Sequence, residues 1–435
     1  MGPGEKNVSL TENVPERLPK RHPEAAGRSV IIFVSATIFA VFWGYGLKRV
    51  LLVAVAVSLF LTLLGCGSGS SSTATTPPPS LLKKRAFLTD SYGNAVDIVD
   101  AQTDFFDGIT EIFTGGSPTI IQLTPDKSIA VVLMSQTDQL VGIDPATEKT
   151  TGSVQLSNWT ESFVIAPDNK TIYAAVRNAA TNQAVPGAVE VVDSTQGLVS
   201  HTIPVPKAHW IVLSHDGKHL LAFSDDSDTV ALIDTAAFTA TTVSGFDRPV
   251  WGVFSSDDSK AYIMNCGPEC GGTAAGVNTL TIATATAGTP TPVSAATYGL
   301  LDGNTLYVAG TGAAGGALDV VDTGNLTVTK SGIPLTDGYH WRMLLTGGNL
   351  YVGARHCSNT ANGCLAIVNV AGATSTLPAA PGDVTDIEPI PDRDVVYVVQ
   401  GGELVIYDTT KDAPRQPQSS QIDIVGQAYG VLQIS

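Results

Sequence analysis

A short stretch that returns eight times constrains this chain more than any other feature. It reads SPTIIQLTPD (117–126), WTESFVIAPD (159–168), AHWIVLSHD (208–216), RPVWGVFSSDD (248–258), ATYGLLDG (296–303), YHWRMLLTGG (339–348), DVTDIEPIPD (383–392) and, last, QAYGVLQIS (427–435). The first seven copies each lead through a polar turn into a β-rich run such as TIYAAVR, HLLAFSD or NLYVGAR. A third run follows and ends near Asp or Asn, as in LVGID, VALID or LVIYD. Copies start about 41 to 48 residues apart. That period, with four short strands per copy, is the signature of a β-propeller in which each copy is one blade.

The two ends of the repeat array complement each other. RAFLTD near residue 86 is a second-strand run with no first strand before it, and AYGVLQIS is a first strand with nothing after it. Joining them makes one blade from both termini and removes the free edge an open array would expose. The expected fold is therefore all-β, a single propeller over 86–435 with eight four-stranded blades, its ring closed by the C-terminal strand.

The unit P-x-x-I-x-L-T-P-D-x-(S/T)-I-x-V followed by V-x-x-I-D-x-x-T resembles the YVTN family of β-propeller repeats. Pro118, Leu123, Thr124, Pro125, Asp126, Ile143, Asp144 and Thr147 carry the likeness. It implies the fold and says little of function, because such repeats serve many unrelated proteins. The tyrosine-valine-threonine-asparagine signature itself is degenerate here. Seven blades, the commoner number in the family, is the alternative to eight.

Ahead of the propeller, the first 28 residues are polar, charged and aperiodic, the composition of a disordered segment. Residues 29–46 are long and apolar enough for a membrane span. Lys48 and Arg49 then precede a second apolar run, 50–62, ending in Leu63-Leu64-Gly65-Cys66. A basic start, an apolar core and a small residue before the cut make a secretory signal. Its ending resembles a bacterial lipobox, which implies a lipid on Cys66 and a membrane anchor. Residues 47–65 read as that signal and 66–85 as a flexible tether. Residues 1–46 read as an upstream extension with Leu47 the initiator, or as a genuine membrane helix before the signal.

Charge agrees with export. The 65 residues ahead of Cys66 carry 7 Lys/Arg and 4 Asp/Glu, which leaves 17 and 36 in the remainder and a net charge of −19. Nucleic acid needs a basic footprint, so it is excluded as a partner. Anionic lipid would not hold this surface either, so the acyl chain must do the anchoring. The expected location is the bacterial cell envelope, and the expected state is a monomer.

Four further cysteines fall in two local pairs, Cys266 with Cys270 and Cys357 with Cys364, each in a long loop between the second and third strands of a blade. An exported context and an even count favour two disulfides, 266–270 and 357–364. Such short loops stiffen a loop tip more than they stabilise the whole. A zinc site built from all four is the minor alternative. No C-x-x-C-H stands in the sequence, so covalent haem is unsupported and no cofactor is expected.

Those second-to-third loops share one face of the ring with the connections into each first strand. Aligning the first strands puts Ile120, Ser162, Trp210, Trp251, Tyr298, Trp341, Asp386 and Tyr429 at one position, five of them aromatic. First strands line a propeller's channel, so the aromatics form a ring near its mouth. Glu161, His209, Arg248, His340 and Arg342 lie close by in sequence. Two readings stay open: a plug for a wide channel, or a concave binding site with apolar walls and a few polar groups. Aromatic faces could grip a sugar, a quinone-like ring or a peptide side chain. His209 and His340 share a His-Trp context three blades apart, too dispersed for a metal site unless Glu161 joins them. The acidic run 224–228 lacks the spacing and glycine of a calcium loop and reads as a solvated turn.

Enzyme motifs are absent: no G-x-S-x-G, no H-E-x-x-H and no P-loop. The expectation is a non-catalytic envelope lipoprotein that binds a protein, peptide or glycan through its loop face. The alternative is an exported enzyme of the lactonase or quinoprotein-dehydrogenase kind.

Overall fold

In a computed structural model the described residues are 79–177, 187–358, 361–411, 413–414, 421–422, 424 and 426–434. The extension, the signal and Cys66 lie outside them. No helix among the described residues is long and apolar enough to cross a membrane.

The repeat becomes eight antiparallel sheets, each a meander running outward from a first strand. The eight first strands, which open blades 1 to 8, are Pro118–Leu123, Thr160–Ile165, Ala208–Leu213, Pro249–Phe254, Tyr298–Asp302, Tyr339–Thr346, Val384–Ile390 and Ala428–Ile434. Each contacts the first strand on either side, all the way round, so the first strands line the central channel. Blade 8 joins the two ends of the repeat array. Ala428–Ile434 pairs with Arg85–Asp90, which pairs with Ala95–Asp100, which pairs with Glu111–Phe113. The eight-bladed closed ring expected from the sequence is the observed one.

Local chemistry explains why the sequence keeps returning to Asp. After the first strand of blade 1, Asp126 Oδ1 accepts from Thr124 Oγ1 at 2.7 Å and Ser128 N at 3.0 Å. Asp168 does the same work in blade 2, accepting from Lys170 N and Thr171 N at 2.9 and 2.8 Å. At the end of the third strand Asp144 accepts from Ala146 N and Thr147 Oγ1, both at 2.8 Å. A short carboxylate capping its own turn is the usual Asx device, and it fixes where each strand reverses.

Packing follows the same plan. Eight apolar layers lie between neighbouring blades, one at each interface. The layer between blades 7 and 8 contains Leu88, Tyr397 and Val431, and the one between blades 8 and 1 contains Phe87, Val132 and Ile434. The closing strand therefore contributes to two interfaces. Burial is the dominant favourable term, and here it is distributed around a ring, so no blade is complete without its neighbours.

Both cysteine pairs form disulfides, Cys266–Cys270 and Cys357–Cys364, each with Cα atoms 5.6 Å apart. Each staples a loop between second and third strands, on the face that also carries the connections into the first strands. That face is called the loop face below.

Candidate functional site at the channel mouth

The first strands of blades 2, 3, 4, 6 and 7 each carry a bulge near their loop-face end. A bulge puts an extra residue opposite one partner and re-aims its side chain. In blade 3, Ala208 opposes Ser224 and Trp210 opposes Phe223, so His209 is the extra residue. In blade 2 it is Glu161.

Blade 6 departs from the sequence alignment by one position. His340 opposes Ala354 and Arg342 opposes Gly353, which makes Trp341 the extra residue. The reason is the turn beyond. Thr346 pairs directly with Asn349 across Gly347-Gly348, whereas blade 3 uses the longer turn between Leu213 and Leu220. Gly347 and Gly348 both have positive φ, the conformation such a tight hairpin requires. The shared His-Trp dipeptide therefore does not mark equivalent places. His340 is wholly buried within the blade, 0% exposed. Burial lowers its pKa to about 4, which keeps the ring neutral. With Trp210, Trp251, Tyr298, Tyr339 and Trp341 it lines a small internal void, and among the described residues it makes no ion pair with the charged groups at the mouth.

The aromatics meet and close the channel. Trp210 of blade 3 lies 6.2 Å from Trp341 of blade 6, centroid to centroid, and 6.2 Å from Trp251 of blade 4. Trp251 stacks on Tyr298 of blade 5 at 4.6 Å, and Trp341 meets Tyr429 of blade 8 edge-on at 6.4 Å. Trp210 and Trp341 are 7% and 2% exposed. Trp341 Nε1 donates to the Val384 carbonyl at 2.8 Å, and Trp251 Nε1 to that of Gly299 at 3.2 Å. Of the two readings left open by the sequence, the observed packing is that of a plug.

Charged side chains flank the plug. The carbons at the centre of the Arg342 and Arg355 guanidinium groups lie 3.8 and 3.6 Å from the centroid of the Trp341 ring. Two planar groups that close cannot share one face of an indole, so they sandwich it. Arg342 pairs with Asp386 at 3.4 Å on one side. On the other, Arg355 faces Glu161 Oε1 at 4.0 Å. His209 bridges two carboxylates, with Nε2 at 2.9 Å from Glu161 and Nδ1 at 2.7 Å from Asp225. Arg177 contacts both of those carboxylates.

Burial would raise the Glu161 pKa, but His209, Arg355 and Arg177 outweigh it and hold the carboxyl below its usual range. Burial lowers that of His209, helped by Arg177 and Arg355 and opposed by Glu161. Asp386 is shifted upward by burial, against the pull of Arg342. Beside the plug a cavity of about 370 Å³ opens between blades 3 and 4, lined by Arg177, His209, Asp225, Arg248, Cys270 and Tyr339. Larger clefts of about 630 and 680 Å³ lie on the opposite face between blades 1 and 2 and blades 2 and 3, walled mostly by turn residues.

Sequence reasoning missed Arg177, Arg355 and Tyr339, and it read Asp225 only as part of a solvated acidic turn. Arg177, Asp225 and Arg355 share one place, at the loop-face end of the second strand, where Cys266 and Thr311 stand in blades 4 and 5. Aligning the second strands as the first strands were aligned would have shown it. Glu269, inside the Cys266–Cys270 loop, was missed too. It accepts from Thr311 N at 2.7 Å, and burial lifts its pKa to about 7. Among the described residues no three His, Cys, Asp or Glu side chains converge in a metal-holding geometry.

Fold and site together define an eight-bladed β-propeller with an aromatic floor and a charged mouth. Solved structures share that fold. Dihydro-heme d1 dehydrogenase NirN in complex with DHE superposes with a TM-score of 0.63 at 13% identity, over 83% of this chain and 78% of that one. Hydrazine synthase of Kuenenia stuttgartiensis gives 0.51 at 17% identity, over 67% and 95%. BamB from Moraxella catarrhalis gives 0.50 at 13% identity, over 72% and 88%. At these identities the likeness is one of fold alone. No protein-family model and no curated protein matches the sequence.

Proposed function

We propose that this chain is a non-catalytic binding module of the bacterial cell envelope, kin to YVTN-repeat propellers and anchored by a lipid on Cys66. Its loop face receives a protein, peptide or glycan, and the propeller acts as a monomer. One observation carries the reading. Trp210 and Trp341 close the channel, so a ligand has no passage inward, while Glu161, Arg177, His209, Asp225 and Arg355 are gathered from three blades onto the loop side of that floor. Long-range assembly of charged groups at one mouth, beside a cavity, suits recognition. The channel of this propeller is a strut. The mouth is the working surface.

Site-specific photo-crosslinking in intact cells tests it. A photoreactive residue at Asp226, on the rim of the cavity, should give discrete adducts, and one at Lys218, on the opposite face, should give none. Adducts from Lys218 alone, or turnover of a lactone or alcohol by the purified protein, would contradict the reading.

A further inference from the structure

Large apolar side chains left in water are concentrated on one blade. Among the described residues eight are exposed, and five of them, Leu81, Tyr92, Phe105, Ile109 and Phe113, belong to blade 8 or to the run leading into it. Those five are 61–84% exposed, against 37–42% for Trp159, Leu198 and Leu377 elsewhere. Single exposed hydrophobic residues are ordinary, whereas a gathering of them marks a surface that something covers.

Neither the repeat nor the core asks for them. Phe113 ends the outer strand of blade 8 opposite Ala95, and the same register position holds Gln155, Pro204, Ser244 and Pro334 in blades 1, 2, 3 and 5. Proline and polar side chains there blunt an outer edge, and blade 8 has phenylalanine instead. Phe105 and Ile109 stand at the other end of the blade, on turns that are firmly held. Arg393 of blade 7 donates to both Asp104 oxygens, at 2.5 and 2.7 Å, and Tyr397 Oη donates to one of them at 2.6 Å. Phe106 packs into the layer between blades 7 and 8, which leaves Phe105 facing out. Asp107 caps the next turn, accepting from Ile109 N at 2.9 Å. Leu81 is pinned too, because Ser80 Oγ donates to Glu148 of blade 1 at 2.6 Å.

Two facts choose the occupant. The outer strand, Glu111–Phe113, is only three residues long, a poor template for strand addition by a protein partner. The described chain begins at residue 79, two residues before Leu81, and Cys66 is 13 positions upstream of it in sequence. A flexible run of that length spans roughly 20 Å. A lipid on Cys66 would therefore keep a bilayer within reach of this blade. Charge would add nothing to the contact: Lys84 and Arg85 are paired with Asp392 and Glu148, and Asp107 and Glu111 are themselves exposed. The surface suits a neutral bilayer entered by apolar side chains.

We propose that the outer edge of blade 8 rests on a neutral phospholipid surface, with Leu81, Phe105, Ile109 and Phe113 entering its headgroup boundary. The proposal rests on the lipid anchor proposed above and adds the orientation it imposes. The ring stands on its rim, and the loop face stays open to a partner at the side.

The test uses the full chain in phosphatidylcholine vesicles, with a photoreactive residue at Phe105, at Phe113 or, on the outer strand of blade 2, at Leu198. Photolysis should attach phospholipid at Phe105 and Phe113 in at least about ten-fold higher yield than at Leu198, the ratio expected from burying one large apolar side chain. High salt should leave those yields unchanged, because apolar contact is not screened. Phe105→Ser combined with Ile109→Ser should lower the yield at Phe113 several-fold. The comparison of the three labelled positions stands even if that variant fails to fold. Equal yields at the three positions, no lipid adduct on blade 8, or loss of the adduct in salt overturns the proposal. So does an adduct of doubled mass, which would give the edge to a second copy of the chain. The mass of the Cys66 peptide is read alongside. If Cys66 carries a lipid and blade 8 is unlabelled, the docking falls and the anchor stands. If Cys66 is unmodified and blade 8 is labelled, the anchor falls and the docking stands. If neither is found, both fall.

Discussion

Replacing Trp341 with alanine is expected to destabilise the propeller by about 3–5 kcal/mol, the cost of a large-to-small change in a packed core. The indole is 2% exposed and touches three other blades through Trp210, Tyr429 and the Val384 carbonyl. Its loss leaves a cavity at the axis, deprives that carbonyl of its donor and removes the surface on which Arg342 and Arg355 both lie. Two part-buried cations would then lack their packing, which adds to the cavity term. Trp159→Ala provides the scale. That ring is 37% exposed, and among the described residues the Arg177 guanidinium, at 4.9 Å, is its one aromatic or cationic neighbour. Its removal should cost no more than about 1 kcal/mol. Denaturant melts of the two variants measure both. A Trp341→Ala loss as small as that of Trp159→Ala would mean that the indole lines an open site.

Deleting the closing strand should have a larger effect still. Without Ala428–Ile434, the edge of Arg85–Asp90 loses its partner, and the buried Ala428, Val431 and Ile434 leave two interblade layers at once. The axis also loses a bridge: Gly430 N donates to Thr89 Oγ1 at 2.7 Å, and that hydroxyl donates to the Thr119 carbonyl of blade 1 at 2.6 Å. Domains are stable by only about 5–15 kcal/mol. The truncated chain is therefore expected to lose its single cooperative melt and to bind a hydrophobic dye at 25 °C. A melt matching the full chain would show that the ring does not depend on closure.

Much of this architecture is legible in the sequence because it is written in local chemistry. The Asp-turn pairs, the strand runs between them and the unmatched strands near residues 86 and 428 each follow from short-range patterns, and they lead to eight blades and their closure. The disulfides follow from the even count and close spacing of the cysteines. The mouth is legible only in part. Glu161, His209, Trp210 and Arg342 stand near it, while His340 is buried among the aromatics beneath, in a blade whose bulge is moved by one residue relative to blade 3. A one-residue slip turns a side chain from one environment to another, and periodicity alone does not reveal it. Arg355 was hidden for another reason. Its meaning comes from Trp341 beneath it and Glu161 two strands and four blades away, and such meetings are made by ring closure.

A closed channel confines any recognition to the loop face. Hydroxyl-radical footprinting of the folded chain, read by mass spectrometry at each tryptophan, tests it most directly. Trp159 should oxidise readily, while Trp210 and Trp341 stay protected until the propeller unfolds. Oxidation of Trp210 and Trp341 at the rate of Trp159 would contradict the account, because water and ligands would then have a way into the ring.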